Sequence, residues 1–136
     1  MNDGRFAIAT HILTLLSRSD GHWVSSEFIA GSVNINPVLV RRETASLRRA
    51  GIVACKEGKN GGYLLAREPD LILLSDVYRA LYHGPLLAFA KNRPNPACEV
   101  GRQIEGHLAA LYGEAEQALL DVLGRTTLKA FVDRFD

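Results

Sequence analysis

Seven residues near the middle of the chain forbid a continuous helix. Lys56-Glu57-Gly58-Lys59-Asn60-Gly61-Gly62 contains three glycines and an Asn-Gly step. That is the composition of a tight turn in which several residues take positive φ. Short apolar runs flank it: Ile52-Val53-Ala54-Cys55 before and Tyr63-Leu64-Leu65-Ala66 after. The two runs read as strands, so the centre of the chain is expected to be a β-hairpin with a basic, glycine-rich tip. Elsewhere the apolar residues recur at helical spacing. The expected fold is mainly α with one small hairpin.

The helices have recognisable ends. Phe6, Ile8, Ala9, Ile12, Leu13, Leu15 and Leu16 place a buried helix over 5–18, and Ser19-Asp20-Gly21 closes it. Trp23 and Val24 suit a short strand. Ser25 or Ser26 caps a second, short helix with Phe28, Ile29 and Val33, and Glu27 lies in its first turn. Gly31 within it suggests close packing against another helix. Asn36 is a natural N-cap for a third helix, with Pro37 at a position where the missing N–H costs nothing. That helix runs to about Ala50 and Gly51 ends it. Val40, Thr44 and Leu47 share its inner side, so Arg41, Arg42, Arg48 and Arg49 fall on faces that cannot be core. A short helix beginning at Ser75 or Asp76 follows, then an irregular stretch over 83–97 containing Pro85, Pro94 and Pro96. A long helix is expected over about 99–123, and Thr126 or Thr127 caps a final short one.

Charge matters here as a distribution. Sixteen Lys and Arg against fifteen Asp and Glu leave a net +1. Yet Ile35 to Arg67 carries seven basic and two acidic residues, a local +5 that leaves −4 for the remainder. A basic block on a neutral chain is the footprint of a polyanion-binding surface. Three helices followed by a hairpin is the order of a winged helix-turn-helix. Its third helix fits the DNA major groove, and its hairpin tip meets phosphate alongside. On this reading Asn36, Pro37, Val38, Arg41 and Arg42 face the groove, with Arg48 further along the helix. Ser25 and Ser26 donate to phosphate at a helix N-terminus. Lys56, Lys59 and Asn60 serve the wing. The alternative is a winged-helix assembly module that binds protein instead of DNA.

The long helix has a seam of its own. Ile104, Leu108, Leu111, Ala115, Ala118 and Val122 alternate spacings of four and three, the heptad pattern of a paired helix. A homodimer is expected, with half-sites about 34 Å apart on the duplex. Leu119, Leu120 and Leu123 lie to one side and are expected to pack on the protomer's own first helix. The chain therefore divides into a DNA-binding unit over 1–82, a connector over 83–98, and a dimerisation helix with a short terminal helix over 99–136.

Four stretches carry a family resemblance: RFAIATHILTLL, SSEFIAGSVNINPVLVRRETASLRRAGIV, GKNGGYLLAREPDLILLSDVYRAL and TTLKAFV. Together they resemble the Rrf2 family of bacterial winged helix-turn-helix transcription regulators. The resemblance implies a dimer that binds a nearly palindromic operator and usually represses. Members that hold an iron–sulfur cluster carry three closely spaced cysteines before the dimerisation helix. This chain has only Cys98 there, and Asn36 to Arg42 is similar to the cluster-free branch. One thiolate per protomer does not suit a cluster, so no cofactor is expected.

The remaining reactive residues form no site. Cys98, close to the start of the long helix, is a candidate redox switch, set against a simple small filler. Cys55 belongs to the hairpin. His11, His22, His83 and His107 lack metal spacing. Nothing orients Cys98 and His107 as nucleophile and base, so no enzyme is expected. The connector could line a pocket for a small-molecule effector. No apolar run approaches the ~20 residues of a membrane span. The first apolar stretch follows an acid and lacks a small-residue cleavage site, which argues against a signal peptide. With two cysteines, the expected compartment is a reducing cytoplasm.

Overall fold

The computed structural model describes residues 3–136; Met1 and Asn2, which open the first expected unit, lie outside the described residues. Helices α1 (Arg5–Ser17), α2 (Ser26–Val33) and α3 (Pro37–Arg49) precede strands β1 (Val53–Lys56) and β2 (Gly62–Leu65). A single 3-10 turn over Pro69–Leu71 leads to α4 (Leu74–Leu81), α5 (Ile104–Leu123) and α6 (Leu128–Val132). The expected mainly helical architecture with one hairpin is the one observed.

Capping residues set the helix boundaries. Ser25 Oγ accepts the Phe28 N–H at 3.1 Å, and Asn36 Oδ1 accepts the Val38 N–H at 2.8 Å. Each satisfies a donor that has no partner inside its helix. Between these helices Asn34 takes a left-handed conformation (φ 62°) and returns its N–H to the Ala30 carbonyl at 2.8 Å. The reversal it creates seats α3 against α2. Gly51, at φ 75°, turns the chain out of α3 toward β1. α4 starts earlier than its serine and aspartate suggest. Asp76 lies inside the first turn and reaches back to accept the Leu73 N–H at 2.9 Å, so the helix opens at Leu74.

The hairpin is antiparallel, with Val53 opposite Leu65 and Lys56 opposite Gly62. Val24 adds an isolated bridge to Tyr63 through two backbone hydrogen bonds of 2.8 and 3.1 Å, a single residue in place of the short strand expected over Trp23-Val24. A Cβ on Gly62 would fall on the Val24 carbonyl oxygen, and one on Gly61 on that of Lys56. The glycine pair thus lets three backbone segments come together at the wing's base. Gly31 differs from its expected role: nothing stands near it, and it faces solvent.

One core joins Ile12 and Leu13 of α1, Ile29 of α2, Val40 and Leu47 of α3, Val77 of α4 and Leu128 of α6. α6 therefore packs into the winged-helix core, although it follows α5 in the chain. The Leu128 N–H bonds the Ile72 carbonyl at 2.8 Å, and the Leu74 N–H bonds that of Thr126 at 3.0 Å.

α5 departs from expectation twice. It begins at Ile104, not near 99, because Asn95 organises a turn ahead of it. The Asn95 side chain accepts the Ala97 N–H, its carbonyl accepts the Cys98 N–H, and Gly101 packs against that carbonyl. Its neighbour in the protomer is α4 rather than α1. Leu119, Leu120 and Leu123 are half-buried on that side. Burial, then the charge of Glu116 on α5, raises the pKa of Tyr78 on α4.

Candidate nucleic-acid interface

α3 is amphipathic in a particular way. Val40, Glu43, Thr44 and Leu47 are buried, whereas Val38, Arg41, Arg42, Arg48 and Arg49 are exposed. At 100° per residue, Val38, Arg42 and Arg49 point away from the core, with Arg41 and Arg48 along one flank. Asn36 and Pro37 are exposed at the N-terminal end. The Asn36 side-chain oxygen is already engaged as the helix cap, which leaves its amide N–H groups facing outward.

The basic residues divide by what they hold. Arg42 donates Nε to Glu43 at 2.7 Å, and Arg49 donates to Ser46 Oγ at 3.2 Å. Arg67 bonds the Gly51 and Ala50 carbonyls at 3.3 and 3.1 Å and lies 3.7 Å from Asp76, so it closes the end of α3. Among the described residues, the side chains of Arg41, Arg48 and Lys59 have no hydrogen-bond or ion-pair partner. Their full charge is available to a ligand.

The wing and the start of α2 share one surface. A shallow depression of ≈ 810 Å³ is lined by Ser25 and Phe28 on one side and Asn60 and Gly61 on the other. Ser26 occupies the first turn of α2 behind its Ser25 cap. Lys56 lies over the Trp23 ring with Nζ 5.9 Å from its centroid, a cation–π contact that steadies its ammonium beside α2. Trp23 and Phe28 are exposed to 37% and 61%. Sequence reasoning assigned these two rings no surface role. Their signal was two aromatic side chains flanking a capping serine, with Phe28 turned from the side of α2 that buries Ile29 and Ala30.

The predicted seam on α5 is exposed. Ile104, Leu111 and Val122 show 36%, 58% and 56% of their surface, and none of the helix's residues is buried. Cys98 is exposed in the turn before α5, outside the helix's first turn, so the helix-end environment expected for its thiol is missing. The connector is tied to α5: Tyr112 donates to the Ala88 carbonyl at 3.1 Å, and its ring lies 5.2 Å from that of Phe89.

Three helices, the third with outward arginines, and a two-stranded wing define a winged helix-turn-helix transcription regulator. Comparison with known proteins agrees. The family model of Rrf2, described as an iron-dependent transcriptional regulator, matches residues 3–134, and the chain belongs to that family. It is 38% identical to YwnA of Bacillus subtilis strain 168, a protein classed among HTH-type transcriptional regulators, over 95% of each chain. It is 31% identical to the HTH-type transcriptional regulator CymR of the same organism, over 93% of this chain and 83% of CymR. The structure of CymR, the global cysteine regulator of that bacterium, superposes with TM-score 0.73 and 25% identity over 100% and 98% of the two chains. Family and relatives are regulators, not enzymes. Among the described residues no helix is long and apolar enough to cross a membrane.

The family's iron finds no ligand set in this protomer. The sequence holds two cysteines, one on β1 and one in the exposed turn. Among the described residues no three His, Cys, Asp or Glu stand close enough to share a metal ion. Among the described residues, the side chains of one chain do not supply the ligand set of an iron centre.

Proposed function

We propose that the protein is a homodimeric repressor that binds a nearly palindromic operator without iron. The observation that carries the reading is the pair Arg41 and Arg48, whose side chains are unpartnered on one flank of a helix whose inner side, Val40, Thr44 and Leu47, is buried. Arg41, Arg42 and Val38 address the major groove. Asn36 and Pro37 approach it from the helix end, and Arg48 reaches the backbone. Ser25, Ser26, Lys56, Lys59 and Asn60 hold phosphate on either side. The acidic Glu27 and Glu57, both exposed, border this surface and limit how closely it follows the backbone.

Dimerisation supplies the second half-site. The α5 seam of Ile104, Leu108, Leu111, Ala115, Ala118 and Val122 is apolar, and all of it but the half-buried Leu108 is exposed in one protomer. An apolar groove of ≈ 620 Å³ along α1, lined by Phe6, Leu15, Phe131 and Phe135 among others, is a second such surface. Both suit a second copy of the chain, since monomers rarely leave long apolar surfaces open.

The test is duplex binding by fluorescence anisotropy between about 50 and 200 mM salt, a range over which added salt lowers the affinity of a protein making several phosphate contacts by orders of magnitude. A flat response would reject the reading. One observation favours a second reading, a protein-assembly module: Trp23, Phe28 and Val38 expose apolar surface next to the basic residues. That reading predicts no duplex binding at any salt. A promoter reporter that rises on deletion of the gene would establish repression.

A further inference from the structure

Glu43 is a carboxylate with 0% of its side chain exposed, on the inner side of α3. Two guanidinium groups compensate it. Arg5 Nε donates to both carboxylate oxygens at 3.0 and 3.1 Å. Arg42 Nε donates to Oε1 at 2.7 Å. Arg5 is itself immobilised: it also bonds the Leu81 carbonyl at 2.9 Å and Ser46 Oγ at 3.3 Å, and only 21% of its side chain is exposed. Glu43 and Arg5 therefore form a fixed base joining α1, α3 and the end of α4.

Arg42 stands on that base with 53% of its side chain exposed. One of its five N–H groups is committed to Glu43, and the four on its terminal nitrogens remain. A short charge-assisted bond at Nε restricts the guanidinium to a narrow range of positions. The fork is thus held at one end before any ligand arrives. Because one carboxylate serves two cations, the trio keeps a net positive charge, and the surplus lies on the Arg42 side. Arg41, one residue earlier, has no comparable anchor and must order itself on binding.

We infer that Glu43 is a positioning residue for DNA recognition, holding Arg42 as a preorganised fork for a two-acceptor partner on the duplex, a guanine edge or a phosphate. The inference rests on the regulator reading above. Preorganising one flexible side chain removes part of the entropy cost of binding, which corresponds to roughly a three- to tenfold gain in affinity.

The experiment has two parts. In the free wild-type protein, nitrogen-15 NMR of arginine Nε–H groups should show the Arg42 signal protected from solvent exchange and that of Arg41 unprotected. This part needs no variant. In the second part, wild type, Glu43→Gln, Arg5→Gln and Arg42→Ala are compared on a duplex selected from a random pool by the wild type, and on an unrelated duplex. Melting curves set a temperature at which each variant is folded.

Glu43→Gln should lose Arg42 protection and bind the selected duplex roughly three- to tenfold more weakly. Arg5→Gln, which leaves Glu43 to Arg42 alone, should lower the melting temperature and reduce Arg42 protection and affinity less than Glu43→Gln does. A loss confined to the selected duplex assigns the fork to guanine, and an equal loss on both duplexes assigns it to phosphate. Rapid exchange at Arg42 in the wild type overturns the proposal. So does unchanged affinity in Glu43→Gln where Arg42→Ala is weakened, which leaves the regulator reading standing. Absence of duplex binding by the wild type would overturn both.

Discussion

Tyr82 donates its hydroxyl to Asp3 Oδ1 at 2.7 Å, joining the residue after α4 to the segment that opens α1. The same carboxylate oxygen accepts the Arg5 N–H at 3.1 Å, and the Arg5 guanidinium lies 5.9 Å from the Tyr82 ring centroid. The contact extends the Arg5–Glu43 cluster to the start of the chain. It holds Asp3 below the usual carboxylate range, chiefly through the Tyr82 hydrogen bond and then the Arg5 N–H. Burial, and then the bond to Asp3, pushes the Tyr82 pKa up to about 12.

That shift has a definite sign. The fold favours the protonated phenol, so its contribution is complete below pH 10, the ordinary tyrosine value, and is lost as pH rises through about 12. Absorbance titration of the four tyrosines should therefore show a late-ionising component. Tyr82→Phe should remove the part that ionises near 12, leave the raised ionisation of Tyr78, and flatten the alkaline stability loss. An unchanged titration in the variant would count against the assignment. On the acid side, Asp3 stabilises the fold above its unfolded pKa, and that contribution fades as pH falls through the lowered value.

Two glycines should respond in opposite directions to alanine. Gly62 has φ 144° and its missing Cβ makes room for the Val24 carbonyl, so Gly62→Ala should destabilise by at least about 1–3 kcal/mol. Gly31 is an exposed position inside α2 with nothing nearby, so Gly31→Ala should stabilise by about 0.5–1 kcal/mol. Urea denaturation followed by circular dichroism measures both. Equal effects would mean the wing's base tolerates a wider separation from Val24.

What the sequence disclosed was local. The boundaries of α3 were legible because Asn36, Pro37 and Gly51 each act on their own backbone within a few residues. The wing was legible because Asn60-Gly61-Gly62 admits few conformations. The start of α5 was not, since Glu99, Arg102 and Gln103 suit a helix and the competing turn depends on Asn95 several residues earlier. Arg42 looked like a free groove contact for a similar reason. Its partner Glu43 counts as a surface acid until Arg5, 38 residues away, folds beneath it. Gly31 looked like a packing glycine because small size alone does not reveal which way a helix faces.

Arg41 and Lys59 should separate sequence reading from charge. Arg41→Ala should weaken binding to the selected duplex by about 1–3 kcal/mol and leave random duplex much less affected, the behaviour of a base contact. Lys59 sits exposed at the wing tip, so Lys59→Ala should weaken both duplexes alike and reduce the salt slope by about one. Anisotropy titrations at several salt concentrations provide both numbers. If Arg41→Ala weakens both duplexes equally, Arg41 is a backbone contact.

The α5 seam can be tested against the core that sits beside it. Leu111 exposes 58% of its surface in the protomer, so its side chain contributes little to the fold of a single chain. Leu128 is 0% exposed, and Leu128→Ala should cost about 2–5 kcal/mol by the transfer and cavity terms together. A charge introduced at Leu111 meets no penalty in an isolated protomer, where it faces water. In a paired helix it is buried against the partner's seam without a counter-charge, and the cost falls on association. Sedimentation equilibrium should therefore find wild type and Leu128→Ala dimeric under folding conditions and Leu111→Asp monomeric, with the helical circular dichroism of Leu111→Asp largely retained. Operator affinity should fall steeply in the monomer, since two half-sites bound by separate chains lose the effective concentration that linkage provides. A dimer that survives Leu111→Asp would place the subunit contact elsewhere, with the groove between α1 and α6 as the next surface to mutate.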